Sequence, residues 1–195
     1  VKGGSGDDTY LLTSATPGFD DGFDGGAGFD TFDASGNFAG LGFIQVSSSN
    51  LEQIIGTSLH DNIVWTNATS GILYGGGGGD NLDGAAQDDS LFGEDGNDIL
   101  AGHFGNDMLD GGAGDDTLIG GVGGDALDGG VGTDKAEYYN TGQNSLIVLQ
   151  GTGIELAKTV TTNSFGTDTL IRTERIEYFD GGVQSHTLAV TDPDY

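Results

Sequence analysis

The sequence predicts an all-β chain folded as a right-handed parallel β-roll with a β-rich C-terminal cap. Three observations carry that prediction. From Gly75 to Glu137 the chain divides without a gap into seven units of nine residues: GGGGGDNLD, GAAQDDSLF, GEDGNDILA, GHFGNDMLD, GGAGDDTLI, GGVGGDALD and GGVGTDKAE. Position eight is apolar in every unit, through Leu82, Leu91, Leu100, Leu109, Leu118, Leu127 and Ala136. A periodic apolar position has no use in the alternative, a disordered acidic glycine-rich linker. Glycine opens every unit and supplies 39 of the 195 residues, a share suited to backbone that must take positive φ or crowd against other backbone.

The unit itself dictates the elements. Six glycine-rich residues form a loop whose carbonyls turn toward one point, and a three-residue strand then carries one inward apolar side chain between two outward ones. Two units make one turn, with a loop and a strand on each side, and turns stack in parallel. The chain therefore reads as degenerate turns with a longer strand rung over 1–55, a regular roll over 56–137 and a capping region over 138–195. In the first part GGSGDDTYL (3–11) and GGAGFDTFD (25–33) match the unit, with the poorer TPGFDDGFD (16–24) between them. GLGFIQV and SNLEQIIG follow as strand-like runs of a longer rung. GTSLHDNIV (56–64) keeps Gly56, Asp61 and Ile63, Trp65 is a single insertion, and TNATSGILY (66–74) has Gly71 where an acid is due. After Glu137, runs such as SLIVLQ and HTLAV alternate with turn residues, and Tyr138, Tyr139, Ile176, Tyr178 and Phe179 are candidates to cover the end of the core.

Charge restricts the partners. Against 31 acidic residues stand 5 basic ones, for a formal net charge of −26, which opposes compaction until cations neutralise it and makes nucleic acid or an anionic membrane a poor partner. Lys135, Lys158, Arg172 and Arg175 all follow the sixth unit, so the chain before them is almost purely acidic. There is no cysteine and no apolar run long enough for a membrane span. The start at Val1 without a signal stretch leads us to expect a fragment of a longer protein.

Position six is aspartate in all seven units: Asp80, Asp89, Asp98, Asp107, Asp116, Asp125 and Asp134. The pattern GGxGxDxUx resembles the nonapeptide of RTX (repeats-in-toxin) proteins, whose repeats bind calcium. Stacking places aspartates 18 residues apart one above another, so one edge carries Asp80, Asp98, Asp116 and Asp134 and the other Asp89, Asp107 and Asp125. Carboxylates about 4.8 Å apart repel unless a cation lies between them. Calcium suits that gap because it accepts six to eight oxygens, carbonyls included, in flexible geometry. The three gaps on one edge and two on the other give five sites, the poorest at Asp89, where GAAQDD lacks glycine at positions two and four.

The resemblance implies a ligand set: carbonyls of positions one and three with the aspartate of one loop, and carbonyls of positions two and four with the aspartate of the loop below. Carried onto this chain, it uses the carbonyls of Gly75, Gly77, Gly84, Ala86, Gly93, Glu94, Asp95, Gly96, Gly102, His103, Phe104 and Gly105. Gly111, Gly112, Ala113, Gly114, Gly120, Gly121, Val122, Gly123, Gly130 and Gly132 complete the set. Which loop supplies which pair stays open at this point. Asp61 over Asp80 and Asp8 with Asp30 add two candidate sites, for five to seven calcium ions in all. The segment GTDTLIRTERIEYFDGG resembles one that follows RTX arrays, and its Asp168, Glu174 and Glu177 read as a solvated acidic face rather than a metal site.

No GxSxG, HExxH or P-loop lysine is present, and the GxGxxG strings open no helix, so no enzymatic activity is expected of this segment. His60, His103 and His186 are far apart and read as exposed loop residues. The resemblance further implies a secreted or bacterial cell-surface protein, exported by type I secretion machinery. The parent could be a surface adhesin or surface-layer protein carrying this region as a stalk or as a glycan- or cell-surface-binding end. It could equally be a secreted protease, lipase or polysaccharide-modifying enzyme carrying it as a C-terminal module.

Overall fold

The computed structural model describes residues 2–12, 24–36, 44–46, 50–66, 69–140, 148–150, 158–162, 166–171, 175–180 and 183–189, with side chains for 2–12, 24–36, 50–66, 69–139 and 170–171. In chain order the strands are β1 (Lys2–Ser5), β2 (Thr9–Leu11), β3 (Asp24–Ala27), β4 (Thr31–Asp33), β5 (Ile44–Val46), β6 (Gln53–Ile55) and β7 (Asn62–Trp65). The array contributes β8 (Ile72–Gly77), β9 (Asn81–Asp83), β10 (Ser90–Asp95), β11 (Ile99–Phe104), β12 (Met108–Ala113), β13 (Thr117–Val122), β14 (Ala126–Asp128) and β15 (Lys135–Asn140). Beyond it lie β16 (Val148–Gln150), β17 (Lys158–Thr162), β18 (Gly166–Ile171), β19 (Arg175–Asp180) and β20 (Val183–Ala189).

Alternate strands go to opposite sheets, as a two-unit turn requires. One ten-stranded sheet runs β16-β17-β18-β14-β12-β10-β8-β6-β4-β2, and an eight-stranded sheet runs β20-β19-β15-β13-β11-β9-β7-β5. The roll is parallel from β2 to β18 and from β5 to β19, with Leu91 level with Leu109 and Leu100 level with Leu118. Antiparallel strands finish both sheets, β17 and β16 beside β18, and β20 beside β19. The β-rich cap therefore extends the two sheets instead of forming a separate layer. GLGFIQV and SNLEQIIG supply β5 and β6, successive strands on opposite sheets of one long turn.

Position eight forms the core, one residue deep. Leu73, Leu82, Leu91, Leu100, Leu109, Leu118 and Ala136 have no exposed surface, and Phe32, Ile54, Ile63, Trp65 and Leu170 continue the same cluster. Tyr138 is buried as expected of a cover, whereas Tyr139 is largely exposed and does not serve as one. The side chains of Ile176, Tyr178 and Phe179 lie outside the described residues.

The division into six-residue loops and three-residue strands needs correction. β8, β10, β11, β12 and β13 each run six residues, through positions seven to nine and on into positions one to three of the next unit. Loop backbone therefore also pairs between turns: Glu94 is level with Gly112 and His103 with Gly121. Positions two and four take positive φ in all seven units, at Gly76 and Gly78 in the first and Gly130 and Gly132 in the last. Ala85, Gln87, Glu94 and His103 adopt it without being glycine, at φ of 69°, 79°, 73° and 72°, each at a cost of roughly 1–2 kcal/mol. Two of the four fall in the Asp89 unit, which is the physical content of its poor match.

Because position eight carries the one buried side chain on each strand from β8 to β14, neighbouring truncations should differ sharply. Leu100→Ala should cost about 2–5 kcal/mol of unfolding free energy in calcium, by cavity formation. Ile99→Ala, at a position 46% exposed, should cost well under half as much, with urea denaturation as the measurement.

Candidate metal centre

The seven array aspartates precede their strands and turn inward, each no more than 3% exposed. One oxygen of each joins the stack. Asp98 Oδ1 accepts the Asp80 N–H at 2.7 Å, Asp116 Oδ1 that of Asp98 at 2.8 Å, and Asp134 Oδ1 that of Asp116 at 2.9 Å. On the other edge Asp107 Oδ1 accepts from Asp89 at 2.8 Å and Asp125 Oδ1 from Asp107 at 2.9 Å. The expected 18-residue stacking is thus a ladder of carboxylates bonded to backbone amides.

The second oxygen is left over. Oδ2 of Asp80, Asp89, Asp98, Asp107 and Asp116 is buried and has no hydrogen-bond partner among the described residues. A buried carboxylate oxygen without a donor is strongly unfavourable, so the site calls for a cation. Position-one glycine makes the space for it. A Cβ on Gly93 would lie 2.3 Å from Asp98 Oδ2 and 2.4 Å from the Gly111 carbonyl oxygen. A Cβ on Gly111 would likewise lie 2.4 Å from Asp116 Oδ2 and 2.6 Å from the Gly129 carbonyl. Carboxylate and next-turn carbonyl thus converge on the same bare face of backbone, and the donors are all oxygen, which fits a hard cation such as calcium. At Gly84 the three nearest atoms all belong to Asp89.

No group of three or more His, Cys, Asp or Glu side chains comes together among the described residues. The polar atoms that meet in each gap are carboxylate oxygens and backbone carbonyls. Gly75, Gly77, Gly93, Glu94 and Gly96 lie in the stacked loops that carry Asp80 and Asp98.

The weaker candidates fall differently. Asp80 Oδ1 accepts the Asp61 N–H at 2.8 Å, so Asp61 does stack under Asp80. Its own carboxylate, however, accepts the Thr57 N–H at 2.6 Å and the Thr57 hydroxyl at 3.1 Å, a local clasp sequence reading did not foresee. Asp8 and Asp30 are brought together, with the Asp8 N–H donating to Asp30 Oδ1 at 2.8 Å. Gly71, which lacks the acid, is backed by the inserted residue: a Cβ there would lie 2.5 Å from the ring of fully buried Trp65. Both described histidines are exposed; His60 Nδ1 meets the Gly79 carbonyl, and His103 pairs with Asp83 at 3.1 Å, which raises its pKa. The Asp168 side chain and the whole of Glu174 lie outside the described residues, though Asp168 precedes Thr169, the strand partner of Ala126.

Two features escaped sequence reading. Glu52 occupies the place of a position-six aspartate, its Oε2 accepting the Asp30 N–H at 2.7 Å. Counting back nine residues from Gly56 would have found it, with Ile54 at position eight. Position five carries a second, exposed ladder of opposite sense: Asn97 Oδ1 accepts from Asp115 N–H and Asp115 Oδ1 from Thr133 N–H, both at 3.0 Å. That explains the recurrence of Asn and Asp at a solvent-facing position.

A family model for the RTX calcium-binding nonapeptide repeat, in four copies, matches residues 74–109 and again 102–136. Residues 74–136 are an array of RTX calcium-binding nonapeptide repeats, and the fold that holds them is a parallel β-roll. The match ends where the aspartate row ends, and the rungs before residue 74 lie outside it. No curated relative matches the chain.

Burial gives these sites a pH dependence. Desolvation pushes the Asp80 and Asp89 carboxyls up to about 7, and those of Asp107 and Asp116 to about 6, each also raised by neighbouring acids. Asp98 is raised by the same desolvation. A folded pKa above the unfolded value of 3.8 means that protonation favours the metal-free roll. Its stability should be greatest below about pH 4 and be lost as pH rises through 6 to 7. Calcium-free thermal melts from pH 4 to 8 should show falling Tm, while calcium affinity should rise over the same interval because protons compete for the carboxylates; a Tm that increases with pH would contradict the assignment.

Proposed function

We propose that this segment is a calcium-gated folding module of an exported protein. The observation that carries the reading is the row of buried Oδ2 atoms, Asp80, Asp89, Asp98, Asp107 and Asp116, left without donors among the described residues in a stack of oxygen-lined gaps. In a calcium-poor cytosol, carboxylate repulsion and glycine entropy keep the array unfolded and fit for export by type I secretion machinery. Extracellular calcium then fills the gaps, and the roll forms and stabilises the parent protein outside the cell.

Five ions occupy the gaps between Asp80, Asp98, Asp116 and Asp134 and between Asp89, Asp107 and Asp125. Further ions at Asp61–Asp80 and Asp8–Asp30 raise the total to as many as seven. Position-one to position-four carbonyls of each pair of loops complete the coordination. At +2 per ion, five to seven ions reduce the −26 charge to between −16 and −12. Affinities of roughly 10⁻⁴ to 10⁻³ M suit an extracellular module, and binding is cooperative because each interior loop serves two ions. The paired acids act as ligands, and we assign no catalysis to this segment.

Circular dichroism during calcium titration tests the reading. β content should rise cooperatively from a largely disordered chelated state, and equal β content in excess chelator and in calcium would contradict it. Asp98→Asn, which removes charge from two neighbouring gaps, should raise the calcium midpoint at least tenfold. Asp115→Asn, one residue from Asp116 but exposed and still able to accept the Thr133 N–H, should shift it less than twofold.

A further inference from the structure

The rungs before Gly71 contain a carboxylate row of their own. Asp8, Asp30 and Glu52 precede β2, β4 and β6, which are consecutive neighbours in the ten-stranded sheet. We propose that the gap between Asp30 and Glu52 is a separate calcium site, ligated by both carboxylates and the Asn50 carbonyl, and isolated from the array by Trp65.

Asp30 has no exposed surface, and its two oxygens have different fates. Oδ1 accepts the Asp8 N–H, while Oδ2 is buried with no partner among the described residues. From the next rung Glu52 Oε2 accepts the Asp30 N–H at 2.7 Å, the same carboxylate-to-amide contact that Asp98 makes with Asp80. A Cβ on Gly25 would lie 2.5 Å from Asp30 Oδ2 and 2.3 Å from the Asn50 carbonyl oxygen. This repeats the arrangement at Gly93, where Asp98 Oδ2 and the Gly111 carbonyl converge. A second carboxylate, an orphaned buried oxygen and a carbonyl thus meet in one gap.

The carbonyl is deliberately aimed. Asn50 has φ 46°, a left-handed conformation that asparagine tolerates better than most residues, and its Nδ2 donates to Asp24 Oδ1 at 3.2 Å. Asp24 is itself held by Lys2 at 3.1 Å, so the clamp spans three turns. Calcium accommodates such an irregular set of oxygens, whereas magnesium demands near-ideal octahedral geometry. Toward the array the row is interrupted. The rung above Glu52 presents Gly71, and the buried Trp65 ring, its Nε1 donating to the Thr69 carbonyl at 2.8 Å, takes the place a carboxylate would have filled. An ion at Glu52 therefore shares a ligand with the Asp8–Asp30 gap and none with Asp89, so its binding is uncoupled from that of the array.

The inference rests on the calcium reading of the array, and ion counting on the full chain separates the two. Native mass spectrometry at saturating calcium would compare the unmodified chain with Glu52→Gln, Gly25→Ala and Asp98→Asn. Glutamine keeps an oxygen for the Asp30 N–H and removes the charge. Glu52→Gln should hold one ion fewer, with the calcium midpoint of the array's dichroism change altered less than twofold. Gly25→Ala, whose methyl occupies the cradle, should lose the same ion. An unchanged count in either variant, alongside loss of ions in Asp98→Asn, overturns the Glu52 site and leaves the array intact. No calcium uptake by the unmodified chain overturns both.

Discussion

Everything in this fold depends on one arrangement: a buried carboxylate whose first oxygen is bonded to the backbone of the neighbouring turn and whose second, among the described residues, has no donor. The first oxygen fixes register, because Asp98 Oδ1 on the Asp80 amide places one turn an exact unit pair above the last. The second creates a demand that protons or a cation must meet. Burial raises these carboxyl pKa values toward neutrality, so near neutral pH the metal-free stack sits where charge repulsion and protonation compete. A divalent cation resolves both at once, and its removal leaves a core only one residue deep to resist the entropy of a glycine-rich chain.

The glycines serve that arrangement by position. At position one the absent side chain leaves room for the Oδ2 of the same unit, as at Gly93 and Gly111. At position four the constraint is double: Gly96 has φ 142°, and a Cβ there would come within 1.2 Å of the Gly78 carbonyl oxygen. Positions where other residues appear, such as Ala85 and Gln87, carry backbone strain instead. Two of the four such positions in the array fall in the Asp89 unit, where the aspartate row on that edge begins.

Much of this was legible from residue order alone. A nine-residue period with fixed glycine, aspartate and leucine specifies a two-sided turn, and the turn specifies which aspartates meet. The extent of the strands was not legible, because glycine at positions one to three reads as loop although its backbone pairs between turns, as Glu94 does with Gly112. Glu52 was hidden by the lack of a glycine-rich loop before it, and Thr57 by its resemblance to an ordinary variable loop residue. Both emerge only when stacking shows which side chain faces which amide. The position-five ladder, too, is visible only as a relation between turns.

Locating the cations is the most direct test of the stack. Crystals grown in calcium and soaked with terbium would report ion positions by anomalous scattering. Peaks should fall in two rows, between Asp80, Asp98, Asp116 and Asp134 and between Asp89, Asp107 and Asp125, with none beside Gly71. Peaks confined to exposed position-five acids such as Asp88 and Asp115, with the buried rows empty, would contradict the account.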